Sequence, residues 1–546
     1  MHKKIKFNNS FFLKVIFFSV MCIAILPLLN RGCIQGHDVG YHLLRIESLK
    51  NGIQMGKPFL KINTLFLNDS GYASSMFYPD LMLYFPAILR VIGVSISTSF
   101  NLFLVLCVGL SYASSYYCTK LITKSSYSAT IASIVFTLCQ YHIDDIYVRS
   151  AVGEIIAFIF IPFLLYGIYD IFYEKFQKPW IMAVGFIGVM LCHTVTLMIF
   201  LFLYATIFII HIKTFIEKPT LIYKLVLTSI IVCSITAFYW LPMLEQMING
   251  SFGYSVPWGC TSDNILDINM ILSNKFTGMG FAIFVLCFIR IFIYKVENNI
   301  NLLKFGDECL AMGILFTLAA TKLFPWVKLG NYVAFIQFPW RLYIVASICL
   351  AISIAIFFEL YSNNSRKRLY TLVFIICLMC ISAISNFKRI PMSYKLYSDD
   401  YYKIMWNTAD IGSGSEWLPL AAKNRDVVLK NSNSVKADNG QLLSFKRVKN
   451  TIAVDYTLDG IRYIDVPFIY YKGYSAFLLN NEKEKLKLNV TGDGENGFCR
   501  VKLPEKPGGV ILIKYEGTLI QNISYTISIL ALLIILGIYF NKRFSI

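Results

Sequence analysis

Apolar residues fall in blocks of about 17–25 along most of the chain, long enough as helix to cross about 30 Å of hydrocarbon. Twelve blocks are read as spans: 11–30, 99–121, 127–143, 152–173, 179–195, 196–212, 222–244, 279–295, 307–324, 340–360, 369–386 and 523–540. A thirteenth run, "YPDLMLYFPAILRVIGV" (78–94), carries Asp80, Arg90 and two prolines. Counting it would turn the connection holding Lys120 and Lys124 to the outside. Leaving it out puts both termini and every basic connection on one side, as the positive-inside rule requires. The run is therefore expected to be an interfacial or re-entrant part of the first outer loop, 31–98.

The pattern changes between 387 and 520. Short alternating runs appear there: "TIAVDYT", "IDVPFIYY", "KLKLNV", "FCRVKL" and "GVILIKY", separated by Gly, Asn, Asp and Pro. Period-two alternation broken by turn residues predicts an antiparallel β-sandwich. By span parity it faces outward. The expected architecture is a polytopic α-helical membrane protein of about twelve spans. It divides into a membrane module (1–386), an extracytoplasmic all-β domain (387–520), and a last span with a cytoplasmic tail (521–546).

Composition agrees. Of 546 residues, 56% are hydrophobic and 15% charged, and mean hydropathy is +0.59. The net charge of +18 comes from residues such as Lys3, Lys4, Lys6, Lys295, Arg366, Lys367, Arg368, Lys542 and Arg543, grouped at the ends of apolar blocks. That placement orients a membrane protein and argues against a nucleic-acid partner. Most of the fourteen cysteines lie inside apolar blocks, and only Cys33, Cys260 and Cys499 fall in segments read as outer, so no disulfide framework is expected. The basic start and long apolar run without a small-residue cleavage site read as an uncleaved signal anchor.

Chemistry collects on the outer segments. In "GHDVGYHLLRIESL" (36–49), His37 and Asp38 follow the first span, and a helix would set Asp38, His42 and Arg45 at i, i+4 and i+7. Asp38 is either a helix N-cap or a carboxylate placed to take a proton from an acceptor hydroxyl. The loop "QYHIDDIYVRSAVGE" (140–154) holds His142, Asp144, Asp145, Arg149 and Glu154. Its two aspartates could bind a divalent ion, hold a sugar, or line a solvated turn. Glu154 opens a span, where an acid is costly, and Arg149 is its simplest partner. His193 sits in a turn between spans, as helix end or site residue. Arg341, after "QFPW", is either a phosphate ligand or an interfacial anchor beside Trp340.

Taken in order, "HDVGYHLLRIESLKNG", "SSMFYPDLMLYFPAIL", "YVRSAVGEIIAFIFIPFLLYG", "QFPWRLY", "GSGSEWLPL" and "VPFIYYKGYSA" resemble the bacterial YfhO and 6-pyruvoyl-tetrahydropterin synthase-related membrane proteins. Those are grouped with the GT-C glycosyltransferases. The resemblance covers most of the chain and implies no pterin chemistry. It implies a GT-C membrane module whose first outer loops carry catalytic acids, and a polyprenyl-phosphate sugar donor used on the outer face of the bacterial plasma membrane. By match, Asp38 is the first-loop acid, Asp144 or Asp145 the second-loop acid, and Arg341 the donor-phosphate ligand. Where some relatives have a "YYPP"-like stretch, this chain reads "FYPD".

The expectation is a glycosyltransferase passing a lipid-linked sugar to a cell-envelope polymer or glycolipid. Asp38, Asp144 and Asp145 would be catalytic. His37, His42, Arg45, Arg149, Glu154, His193 and Arg341 would bind substrate. No cofactor is required beyond a divalent ion, were one held by Asp144 and Asp145. The rival classes are a transporter or flippase, which would want ionisable groups near mid-membrane, and a non-catalytic envelope-assembly protein.

Overall fold

The computed structural model describes residues 10–253, 264–273, 277–293, 299–362, 364–390, 392–397, 411, 415–448, 450–456, 460–479, 485–504 and 508–544. Lys3, Lys4, Lys6, Lys295, Cys260 and parts of "GYSVPWGCTSDN" and "GSGSEWLPL" lie outside them, as do the side chains of Lys542 and Arg543. The chain forms two compact units. The first comprises 1–39, 97–232 and 257–396; the second comprises 40–96, 233–256 and 397–546. Residues 40–96 and the last helix thus group with the β-rich region, a division that cuts across the boundaries at 386 and 520.

A helix stands at each of the twelve apolar blocks, but their lengths differ. Five are long and apolar enough to cross a membrane: Ile96–Thr123, Val152–Tyr173, Pro339–Tyr361, Ser365–Arg389 and Leu519–Ile538. A sixth arises if Thr220–Ile235 and Ala237–Asn249, bent by 76° at their junction, are one broken span. Others are short: Pro179–Met190 has 12 residues and Phe281–Cys287 has 7. Residues 78–94 form a 3₁₀ turn, Leu81–Leu83, and an 8-residue helix, Tyr84–Val91. At about 1.5 Å per residue that helix falls well short of a bilayer.

The first unit is helical. Helix Tyr343–Tyr361 is buried almost throughout and packs on Ile300–Ala319 and Ser126–Leu138. Gly313 permits the first of these approaches, since a Cβ there would lie 2.6 Å from the Leu350 side chain. A short antiparallel pair, β1 (Cys33–Ile34) and β2 (Tyr394–Lys395), ties the chain after the first helix to the segment after Ser365–Arg389.

The second unit holds ten strands: β3 (Val435–Ala437), β4 (Leu442–Leu443), β5 (Phe445–Val448), β6 (Thr451–Tyr456), β7 (Tyr463–Ile469), β8 (Tyr474–Leu479), β9 (Lys485–Leu488), β10 (Val490–Thr491), β11 (Phe498–Lys502) and β12 (Gly509–Tyr515). These ten strands of the described residues form two antiparallel sheets, ordered β10-β11-β7-β3-β4 and β5-β6-β12-β8-β9. Alternate residues Ile452 and Val454, Ala476 and Leu478, and Ile511 and Ile513 turn inward and share one core with Ile464 and Val466 of the other sheet. Leu65, Phe66, Tyr72 and Met76 belong to the same core.

Below the sheets, the bent helix has a chemical cause. Pro242 lies inside Ala237–Asn249 and has no N–H for the carbonyl four residues back, that of Phe238. Lys61 Nζ donates to that carbonyl at 3.1 Å. Ser528 of the last helix accepts from the Phe238 N–H at 3.0 Å and donates to Ser234 O at 3.1 Å. Three backbone groups near the break thereby have side-chain partners.

Candidate functional site

The site is built where two loops of the first unit run side by side. His37 N–H donates to Val148 O at 3.0 Å, and Asp38 N–H to Arg149 O at 2.9 Å. Gly36 allows this approach, because a Cβ there would fall 2.1 Å from Ser150 Oγ. Ser150 itself turns the chain with a φ of +52°, directly after a five-residue π-helical turn, Asp145–Arg149. Wide turns of this kind recur at functional sites. Here the turn aims Arg149 back at Asp145 and forward at Glu154.

Arg149 is the hub. Its Nη1 donates to Asp145 Oδ1 at 2.5 Å and to the Tyr141 hydroxyl at 3.3 Å, and its Nη2 donates to Glu154 Oε1 at 2.8 Å. Tyr141 in turn donates to Glu154 Oε2. Arg341 Nε lies 3.0 Å from Glu154 Oε1. Its Nη1 donates to Ile336 O at 3.2 Å and to the Gln337 side chain, while Nη2 has no bond to another described residue. Glu154 therefore positions two guanidinium groups at once.

Asp38 faces this pair. It stands just before helix Val39–Gln54, in the N-cap position, yet its half-buried carboxylate has no hydrogen-bond or ion-pair partner among the described residues. Burial pushes its carboxyl above the ordinary range; Arg149 and Arg341 oppose that rise, as does the exposed His37, and Glu154 adds to it. The cluster thus contains three carboxylates, Asp38, Asp145 and Glu154, against two guanidinium groups. Asp145, wholly buried, is raised well above its usual value by burial and then by Glu154, with Arg149 opposing. Its Oδ2 has no partner among the described residues.

His193 caps helix Thr194–Ile210. Its Nδ1 accepts from Thr196 N–H at 3.3 Å, which leaves the proton on Nε2, and the ring lies within electrostatic reach of Glu154.

Other residues singled out by the sequence are placed differently. Asp144 pairs with Arg389 at the end of helix Ser365–Arg389, at 2.9 Å. Burial raises it to about 7 despite that partner. Asp144 and Asp145 each bond a guanidinium, and among the described residues no three His, Cys, Asp or Glu side chains converge to hold a metal. A shared divalent ion does not fit this arrangement. His42 and Arg45 are buried in the second unit. Arg45 bonds Asp80, Tyr78 O and Pro79 O, and its Nη1 lies 3.2 Å from His42 Nδ1. Tyr141 and Gln337 are uncharged participants that a search for charged residues passes over, and Arg389 is a charged one that the sequence does not single out. Tyr141 stands in the quoted loop, but a tyrosine between apolar runs carries no signal of its own.

No family model matches the chain. Over 99% of its length it is 23% identical to an uncharacterized protein of Lactococcus lactis subsp. cremoris (strain MG1363), covering 96% of that protein.

Proposed function

We propose that this protein is a membrane glycosyltransferase of the GT-C kind, resembling the YfhO-type proteins. It would move a sugar from a polyprenyl-phosphate donor to a cell-envelope polymer or glycolipid. In this reading the chain crosses the plasma membrane twelve times, with both termini inside and the β-sheets outside. The observation that carries the chemistry is the surplus carboxylate: among the described residues Asp38, unlike Asp145 and Glu154, has no hydrogen-bond or ion-pair partner, and it lies within electrostatic reach of Arg149 and Arg341.

The acceptor hydroxyl gives its proton to Asp38 as its oxygen attacks the anomeric carbon. The bond from that carbon to the donor phosphate breaks, with inversion, and polyprenyl phosphate leaves. Arg341, held by Glu154, offers its free Nη2 to the phosphate, a planar fork suited to oxyanions. Arg149 adds positive charge where negative charge develops. A raised carboxyl pKa brings the base nearer neutrality, so its proton affinity better matches the task.

The test is Asp38→Asn at matched expression, read by mass spectrometry of envelope glycans. Asn keeps the size and caps helices about as well as Asp. Transfer should fall by roughly 10²–10⁴-fold while the protein inserts normally. Unchanged glycans would remove Asp38 as the base.

A further inference from the structure

The described part of "GSGSEWLPL", residues 415–420, belongs to the second unit. Within the second unit its Glu416 and Trp417 close an aromatic assembly. The Trp417 ring lies 5.5 Å from Tyr78, 6.1 Å from Tyr72 and 6.5 Å from Tyr41, and stacks on Phe77 at 6.4 Å. Its backbone is fixed at both ends of the residue: Trp417 N–H donates to the Tyr72 hydroxyl at 3.2 Å, and the Tyr471 hydroxyl donates to Trp417 O at 3.0 Å. Tyr41, Tyr72 and Phe77 are buried, whereas Tyr78, Glu416 and Trp417 are half-buried. The assembly therefore reaches the unit's surface along those three side chains.

Packing alone leaves one group unexplained. The Tyr41 hydroxyl is buried, at 5% exposure for the residue, and has no hydrogen-bond partner among the described residues. Buried hydroxyls normally have one, and leaving one unmade is costly. Glu416 lies within electrostatic reach of both Tyr41 and Tyr72. Aromatic walls beside a carboxylate suit two ligand classes, an organic cation or a sugar ring. The cation's place is already filled. The Arg45 guanidinium sits 4.3 Å from the Tyr78 ring centre and 5.6 Å from that of Tyr41, neutralised by Asp80. A second cation would find that ring face occupied. A neutral ring, with a C–H face for the indole and hydroxyls for Tyr41 and Glu416, would not.

We propose that Trp417, Tyr78, Glu416 and Tyr41 form a binding site for a neutral hexose of a glycan. That this glycan is the acceptor rests on the transferase reading; that the site binds sugar does not. The test is saturation-transfer NMR on the full-length protein in lipid nanodiscs, with maltopentaose, cellopentaose and chitotetraose as probes and choline as control. At least one sugar should be saturated. Trp417→Ala should abolish the signal, and Trp417→Phe should keep part of it. Tyr41→Phe, which keeps the ring, should weaken binding by about tenfold. Asp38→Asn should bind as wild type does, so the two proposals fail separately. No saturation of any sugar, equal saturation in Trp417→Ala, or saturation of choline instead would overturn the site. If Trp417→Ala does not fold, an unchanged affinity in Tyr41→Phe overturns it alone.

Discussion

In the second unit, each of two buried guanidinium groups has an acid that no other guanidinium shares: Arg45 has Asp80, and Arg90 has Glu47, whose second oxygen takes Lys50 at 3.1 Å. Backbone carbonyls take up further donors, Tyr78 O and Pro79 O for Arg45 and Val94 O for Arg90. In the first unit, Arg149 and Arg341 share Glu154, Asp145 leaves one oxygen bare, and Asp38 has no partner among the described residues. Both arrangements are buried ionic groups, and burial alone does not tell them apart. Stoichiometry does. Matched pairs hold the chain in place, since removing either member strands a charge. An unmatched acid beside two cations is unstable without a purpose, and perturbed groups of that kind mark functional sites.

The largest effect that would sharpen this contrast is on stability. Arg90→Met leaves buried Glu47 with Lys50 alone and should cost about 3 kcal/mol, seen as a large drop in melting temperature in detergent. Transfer per folded molecule should not change. A variant that folds normally but loses transfer would break the distinction between the two regions. Next, Gly36→Ala forces a Cβ onto Ser150 and should cost about 1–3 kcal/mol while displacing Asp38 and lowering transfer. Adding Ser150→Gly removes the obstructing side chain and relaxes a positive φ, so the double variant should recover both properties. No recovery would mean that the docking of the two loops does not place the base.

Arg341→Lys keeps the charge and loses the fork, so the donor KM should rise about tenfold with little change in melting. A wild-type KM would take Arg341 out of the phosphate site. The smallest effect concerns Asp144. Its carboxyl is raised to about 7 in the folded chain, so the unfolded chain releases this proton first as pH rises. Its contribution is complete below about pH 4 and declines toward pH 7. Asp144→Asn should therefore flatten the fall in melting temperature over that window. An identical slope in the variant would show that Asp144 does not titrate there.

Much of this was legible in the sequence, for identifiable reasons. A carboxylate or guanidinium directly after an apolar run stands out, which marked Asp38, Arg149, Glu154 and Arg341. Alternation marked the inward residues of β6, β8 and β12. Helical spacing alone does not tell His42 and Arg45 from core positions. Leu43, Leu44 and Ile46 of the same helix are buried as well, and residues 41–49 are covered on every side. Strand β7 is buried on both faces for a related reason: residues of the first loop complete its core, with Ile469 N–H donating to Ser70 O at 2.9 Å. Pairings such as Asp144 with Arg389 join positions far apart in the chain, and no local pattern announces them.

The repaired break at Phe238 has a consequence for how the chain is made. Its three parts, Lys61, the turn from Ser234 to Phe238, and Ser528, leave the ribosome at widely separated times. Until the last of them emerges, a peptide N–H and two carbonyls near this bend lack the side chains that satisfy them, in surroundings where water is scarce. The middle helix pair must wait, held by the insertion machinery or by transient partners, for a segment synthesised almost 300 residues later. Assembly of the second unit is thereby tied to completion of translation, and a chain truncated before Ser528 would be recognisable as unfinished from within the membrane.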